Sequence, residues 1–339
     1  VTPSLFKEKN YPFLMLAPLE GITNAAFRSC ICELGGLDSV ATEFVRITGP
    51  KQGVKPFSRI PGVPLQIQLM GTDAYTLSQV ILFLKSQNIL FDDDWIDLNV
   101  GCPSRRVNAS GAGASLLLDP AKLAEIITAM RESHSGPLSI KTRIGFDTPD
   151  AFGPLLNRLA AAPLDFITIH ARTRCGGYKE PINLELLKLA STTLPYPVIG
   201  NGDIWTAEDA LNMLQKTGVR GIMCGRGAVR NPLLFHEIRA AITSTRLNLD
   251  PATTLNILGT FTKSLSFKLS NSEKKPGYRI GVFKEYATWL SKNPIVGRDF
   301  FQGLKRLTEW SAIFSYLETY FPPAEGQAPS EITSLTKFS

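Results

Sequence analysis

With 339 residues, 44% of them hydrophobic and 19% charged, the chain fits a soluble globular protein with room for one large domain and a smaller one. No apolar run reaches the length of a membrane span, and the polar stretch from Val1 to Asn10 does not read as a signal peptide. The net charge of +6 is unevenly spread: Arg239 to Tyr320 carries twelve Lys and Arg against six Asp and Glu, while the rest is balanced, which points to a polyanionic partner for the C-terminal quarter.

Taken in order, eight short apolar runs each end in a polar or glycine-containing segment and predict strands: Phe13–Ala17, Asp38–Thr42, Leu65–Met70, Trp95–Asn99, Leu138–Arg143, Asp165–His170, Pro197–Asn201 and Gly221–Gly225. Between them, three- and four-residue apolar spacing predicts helices, most clearly at Ala74–Gln87, Pro120–Ser133 and Ala207–Lys216. Asp119 and Thr206 have the character of N-caps, and Pro120 suits a first helical position. This rhythm predicts an α/β fold, a (β/α)8 TIM barrel. A doubly wound open sheet is the alternative, but no G-x-G-x-x-G follows the first strand. Past about Ala241 the pattern changes to helices at Thr253–Lys268, Tyr278–Ser291 and Gly297–Thr319, a small all-α bundle that carries the positive charge. The expected division is therefore a catalytic barrel over 1–241, a basic helical domain over 242–321, and a mobile tail over 322–339, where Pro, Ser, Gly and Gln occur without periodicity.

Five cysteines at unpatterned spacing read as free thiols in a reducing, cytoplasmic setting, and three scattered histidines make no metal site. Barrels of this kind keep their active site at the C-terminal ends of the strands. Those ends bring Ala17-Pro18-Leu19, Arg46, Gln68, Asn99 and Cys102, Lys141 and Arg143, His170, Asn201-Gly202-Asp203 and Gly225-Arg226. One polar strand end is explained by capping or solvent; eight at one rim are not. Glycine loops after strands seven and eight, with Arg226, suit a phosphate. Ala17-Pro18-Leu19 would lie along a flat ring, and Gln68 and Lys141 could bond its heteroatoms. Beside a flavin, the lysine would favour the reduced, anionic ring. Cys102 stands in Gly101-Cys102-Pro103, a sharp turn at a strand end, where a thiol is either a small buried hydrophobe or a reactive group.

Six ordered motifs resemble the tRNA-dihydrouridine synthases: Ala17-Pro18-Leu19-Glu20-Gly21 through Phe27-Arg28, Leu98-Asn99-Val100-Gly101-Cys102-Pro103, Lys141-Thr142-Arg143-Ile144-Gly145, His170-Ala171-Arg172-Thr173, Asn201-Gly202-Asp203-Ile204 and Gly225-Arg226-Gly227. Thr42-Glu43-Phe44-Val45-Arg46 and Gly176-Gly177-Tyr178 are most similar to the bacterial C-type, which acts on a D-loop uridine, conventionally position 16. Leu19 departs from the family's usual methionine, and a basic position near Val282 is not kept. The resemblance implies tightly bound FMN held by Ala17, Pro18, Leu19, Gln68, Lys141, His170, Asn201, Gly202, Asp203, Gly225 and Arg226. It implies NADPH as reductant, hydride delivered to uracil C6, and a proton from Cys102 to C5, for which a thiol must be protonated when needed. Asn99, Arg143, Arg46 and Tyr178 are then candidates for the uracil or its backbone. Lys274, Arg279, Lys284 and Lys305, with Lys275, Lys292 and Arg306, are candidates for tRNA phosphates. The expected protein is monomeric and free of membrane. Two other readings compete: a different FMN-barrel pyrimidine oxidoreductase of dihydroorotate or dihydropyrimidine type, which needs no basic helical domain, and a non-catalytic tRNA-folding aid, against which the rim chemistry argues.

Overall fold

In the computed structural model the described residues are 11–50, 52, 54–92, 94–245 and 247–323. Most of the expected tail, from residue 324 on, lies outside them. By packing, these residues form two compact units. One comprises the chain to Pro18, Asp38–Asp203 and Asp209–Cys224; the other comprises Leu19–Leu37, Ile204–Glu208 and the chain from Gly225.

The first unit holds a closed parallel barrel. Its strands are β1 (Phe13–Leu16), β2 (Ser39–Ala41), β3 (Val45–Arg46), β4 (Leu65–Met70), β5 (Trp95–Val100), β6 (Leu138–Arg143), β7 (Phe166–His170), β8 (Val198–Asn201) and β9 (Gly221–Cys224). β1 pairs with β9, and pairing of β2 with both β1 and β4 closes the ring. β2 and β3 are two halves of one barrel strand. Both pair with β4, and the gap between them is bridged where Gln68 N donates to Thr42 Oγ1 at 3.0 Å. All eight predicted strands are therefore present, within a residue or two at each end. The predicted helices appear at Ala74–Ser86, Pro120–Ser133 and Ala207–Thr217, and Asp119 caps the second by accepting from Lys122 N at 3.0 Å.

Strand alternation explains what fills the barrel. Phe13, Met15, Trp95, Phe166, Ile199 and Met223 form a buried apolar plug, with Trp95 stacked on Phe13 at 5.8 Å and edge-on to Phe166 at 5.4 Å. Two residues further along the strands the inner face turns polar: Trp95 gives way to Asp97 and Asn99, Phe166 to Thr168 and His170, Ile199 to Asn201. The interior is thus apolar below and polar toward the strand ends, the end where the chemistry is expected.

The second unit is helical. It holds α1 (Ala25–Leu34), α2 (Arg226–Arg230), α3 (Leu234–Ile242), α4 (Pro251–Ser270), α5 (Pro276–Leu290), α6 (Asp299–Leu304) and α7 (Trp310–Tyr320), labelled here in chain order within this unit. Phe27 of α1 meets Phe261 of α4 edge-on at 5.6 Å and Tyr286 of α5 at 6.0 Å. The single helix expected over Gly297–Thr319 is instead two, α6 and α7, broken at Lys305–Glu309. The chain doubles back because Phe300, Leu304, Ile313 and Leu317 are all buried together. Tyr316 stacks on Phe300 at 6.1 Å and donates its hydroxyl to the Phe300 carbonyl at 2.8 Å.

That turn-back needs Gly303, where a Cβ would stand 2.5 Å from the Tyr316 ring. Gly303→Ala should lower unfolding stability by about 1–2 kcal/mol in urea titration, since overpacking outweighs the helix-propensity gain of about 1 kcal/mol.

Candidate active site

A chain of buried hydrogen bonds leads from the barrel interior to the cysteine. Asp97, on the inner face of β5, accepts from Ser139 Oγ at 2.6 Å, Gln68 Nε2 at 2.6 Å and Gln66 Nε2 at 3.2 Å. Gln68 Oε1 in turn accepts from Asn99 Nδ2 at 2.8 Å. Asn99 Oδ1 then accepts the backbone N–H groups of Cys102 at 2.9 Å and Gly101 at 3.2 Å. Burial pushes the Asp97 carboxyl up to about 6, against the opposing pull of Ser139, Gln68 and the Lys141 charge.

The loop beyond is tied from its far side as well. Asn108 Nδ2 and Ala114 N donate to the Cys102 carbonyl at 3.1 and 3.3 Å. Gly113 (φ +61°) crosses so close that a Cβ would meet Cys102 Cβ at 3.0 Å. Cys102 is half-buried and packs with Phe44 against Met70, Val107 and Ala112. It is therefore a fixed thiol at a strand end, neither a disulfide partner nor part of any metal-type cluster among the described residues.

The neighbouring strands put cations beside it. In register Asn99 pairs with Lys141, Arg143 with His170, and His170 with Asn201. Lys141 Nζ donates to Asn201 Oδ1 at 3.0 Å. Although partly open to solvent, the Lys141 ammonium is pushed down to about 8 by desolvation, with Arg143 adding repulsion and Asp97 and Cys102 opposing it. A poorly solvated cation whose hydrogen-bond partner is a neutral amide is a site for an anion. This is the observation by which these residues fit a reduced flavin ring. Arg143 Nε donates to the Gly101 carbonyl at 2.7 Å and Nη1 to the Thr173 carbonyl at 2.9 Å, so it braces the cysteine loop against the loop after β7. His170 faces exposed Tyr178 with ring centroids 6.2 Å apart.

Other expected site residues fall as follows. Ala17 is buried and donates its N–H to the Cys224 carbonyl at 2.8 Å. Asp203 (φ +47°) is paired with Arg172, whose Nη1 reaches Oδ1 at 2.9 Å and whose Nη2 reaches Oδ2. Its carboxylate is thus occupied by the protein. Arg46 lines a cleft of about 270 Å³ together with Thr48, Met70, Thr72, Asp73 and Ser110. In the second unit, Leu19 N donates to Thr23 Oγ1 at 2.7 Å, and the Arg226 guanidinium lies 4.9 Å from the Trp205 ring centre. Lys274, Lys275, Lys305 and Arg306 are exposed and Lys284 partly so. Arg279 differs: it donates to the Leu269 and Ser270 carbonyls and closes the end of α4.

The Asp97, Ser139 and Gln66 cluster was not among the sequence candidates, which came from strand ends. Its signal is polar residues at alternate positions in Leu65-Gln66-Ile67-Gln68-Leu69, Ile96-Asp97-Leu98-Asn99-Val100 and Leu138-Ser139-Ile140-Lys141. In a barrel whose strands are covered on both sides, that period marks a polar interior.

Fold and site together define a parallel α/β-barrel enzyme with a firmly held thiol beside the cations of the neighbouring strand, Lys141 and Arg143. A model of the dihydrouridine synthase family matches residues 15–302, and the chain belongs to that family. It is 31% identical over 296 residues to a tRNA-dihydrouridine(16) synthase of Pseudomonas putida, covering 83% of this chain and 88% of the relative. A protein of the same name from Pseudomonas syringae pv. tomato is 30% identical over 319 residues, covering 88% and 96%. Among solved structures, morphinone reductase in complex with tetrahydroNAD aligns with a TM-score of 0.46 at 13% identity, over 71% of this chain and 89% of that one. Among the described residues, no helix is long and apolar enough to cross a membrane.

The raised Asp97 carboxyl sets a pH window. Its ordinary value is about 3.9, so between about 4 and 6 the folded chain binds more protons than the unfolded one and stability falls as pH rises. Relative to Asp97→Asn, the wild-type protein should lose unfolding stability across that window and run parallel to the variant above it, read from denaturant titrations at each pH.

Proposed function

We propose that this protein reduces a uridine in the D-loop of tRNA, at position 16, to 5,6-dihydrouridine. The observation that carries the reading is Cys102, fixed through Asn99 one strand pairing away from Lys141. FMN, reduced by NADPH, supplies the hydride that uracil receives at C6. The chain's residues do the rest. Lys141, positioned by Asn201, would supply positive charge to favour the reduced, anionic flavin. Within the barrel unit, His170, Gly202 and the backbone of Ala17 and Pro18 would help hold the flavin. Gln68 and Asn99 act from beneath by holding the cysteine loop, and Asp203 acts by fixing Arg172.

Once C6 has accepted hydride, C5 carries enolate-like charge, and the Cys102 thiol delivers its proton there. Lys141 and Arg143 both interact electrostatically with Cys102, which stabilises the thiolate left behind. Arg46, beside its cleft, and exposed Tyr178 contact the extruded nucleotide. The two relatives named for position 16 support that choice of uridine.

A uridine inside folded tRNA has to leave its stack, at a cost of a few kcal/mol. Phosphate contacts from the basic segment over 242–321 offset that cost. Lys274 and Lys275, exposed between α4 and α5, lead this set with Lys284, Lys305 and Arg306. Arg279 supports them by fixing the end of α4. The catalytic work belongs to 1–241, and the protein acts as a cytoplasmic monomer.

Cys102→Ala should purify with flavin absorbance intact while dihydrouridine formation falls by about 10²–10⁴-fold, read by mapping dihydrouridine in tRNA from a strain lacking the activity. A colourless protein that takes up no FMN would sink the reading. Replacing Lys274 and Lys275 together by alanine should weaken tRNA binding and flatten its log-salt dependence by roughly 1–2; an unchanged slope would remove them from the RNA surface.

A further inference from the structure

The loop after β7 is tied into a closed turn by one carboxylate. Glu180 Oε2 accepts from Thr173 Oγ1 at 3.0 Å and from Thr173 N at 3.3 Å. Thr173 Oγ1 in turn accepts from Gly176 N at 3.0 Å. The return limb closes the turn, with Lys179 N and Glu180 N donating to the Gly176 carbonyl at 3.1 and 3.3 Å. Gly176 lets the carboxylate in: a Cβ there would lie 1.9 Å from Glu180 Oε2. Gly177 (φ +59°) takes the left-handed conformation that favours glycine. Tyr178 follows it, exposed, with its ring 6.2 Å from His170 and an electrostatic interaction with Arg143.

The ends of this segment are anchored on the barrel. Arg174 N and Cys175 N donate to the Gly145 and Phe146 carbonyls, each at 2.9 Å, and Asn183 N donates to the Ala171 carbonyl at 2.8 Å. Arg143 Nη1 donates to the Thr173 carbonyl at 2.9 Å, and Arg172 Nε donates to the Glu180 carbonyl. Thr173 is buried, so water does not compete for its N–H or hydroxyl. Between these anchors, the Glu180 carboxylate and the Thr173 hydroxyl together hold Gly176, where the chain starts toward Tyr178. Two adjacent glycines would otherwise leave that path many conformations. A carboxylate that accepts an N–H and an O–H from one residue selects among them. A ring that must first be ordered gives up binding energy to do so.

We propose that Glu180 is the positioning residue for Tyr178: its carboxylate, acting through Thr173, fixes the turn that presents the ring to the extruded nucleotide. The proposal rests on the reading that Tyr178 contacts that nucleotide. It assigns a role to a residue that was not among the sequence candidates and that acts through its neighbours.

Steady-state kinetics with tRNA, set beside flavin reduction by NADPH without tRNA, separate this role from general packing. Glu180→Ala should raise KM for tRNA roughly tenfold and leave the rate of flavin reduction unchanged. Glu180→Gln keeps an acceptor oxygen for both Thr173 donors and should stay within about twofold of the wild-type KM. Gly176→Ala, which displaces the carboxylate, should match Glu180→Ala. Tyr178→Ala is the reference, and adding Glu180→Ala to it should raise KM no further.

If Tyr178→Ala raises KM for tRNA and Glu180→Ala does not, the positioning role is wrong and the nucleotide reading stands. If Tyr178→Ala leaves KM unchanged, the nucleotide reading fails and this proposal with it. Equal slowing of flavin reduction and tRNA turnover in Glu180→Ala would show packing alone and overturn the proposal, as would a further rise in KM on the Tyr178→Ala background. Should the alanine variant fail to fold, Glu180→Asp, one methylene shorter, carries the same comparison, and a wild-type KM there overturns the proposal.

Discussion

The structure of the site depends on one buried carboxylate. Asp97 stands inside the barrel where the apolar plug ends, and three side-chain donors converge on it. An ionised carboxylate only accepts hydrogen bonds, so it dictates the orientation of the amide next to it. Gln68 must turn its Nε2 toward Asp97 and its Oε1 outward; Asn99 must then offer Nδ2 to Gln68 and keep Oδ1 for the backbone of Gly101 and Cys102. Each amide has one arrangement that satisfies both neighbours, so the polarity set at Asp97 is passed to the cysteine loop. An apolar residue at 97 would leave Gln68 Nε2 without its acceptor in a place water does not reach, at about 1–3 kcal/mol.

The barrel was legible because its strands are short apolar runs separated by turn residues, and because amphipathic helices such as Pro120–Ser133 carry their caps in the sequence. What was hidden depends on contacts distant in the chain. The interruption between β2 and β3 is stabilised by Thr42 receiving a hydrogen bond from Gln68, a partner 26 residues away. Helix periodicity through Gly297–Thr319 is nearly continuous, yet the chain turns back at Lys305–Glu309 because only a hairpin buries Phe300 and Leu317 together. Grouping of Leu19–Leu37 with the C-terminal helices likewise depends on Phe27 meeting Phe261 and Tyr286, which no local pattern announces.

In the site, sequence reasoning picked residues that the barrel brings to the ends of neighbouring strands, but could not divide residues with spare hydrogen-bonding capacity from supporting ones. Asn99, Gln68, Arg143 and Asp203 all stand at strand ends and all carry hydrogen-bonding groups. In the structure these groups are largely spent on neighbours: Asn99 on the cysteine loop, Arg143 on two carbonyls, Asp203 on Arg172. Lys141 differs, since the hydrogen-bond acceptor described for its ammonium is a neutral amide, and desolvation outweighs the pull of Asp97 and Cys102. Residue type says that a group can bind; only the count of satisfied donors and acceptors says whether it still has capacity to do so.

The same count bears on the acid role proposed for the cysteine. A proton donor needs a fixed position, room for the acceptor, and an environment that tolerates both its charged and neutral forms. The backbone bonds from Asn99, Asn108 and Ala114 supply the first. The packing on Met70, Val107 and Ala112 favours the neutral thiol, while Lys141 and Arg143 favour the thiolate. Because Arg143 is braced on the Gly101 and Thr173 carbonyls, its charge would not have to move in the proposed proton transfer. A site already polarised for the product state avoids reorganisation during transfer. The supporting residues therefore matter to the chemistry as much as to the fold: the polar interior that begins at Asp97 holds the loop, and the loop holds the thiol between apolar packing and fixed positive charge.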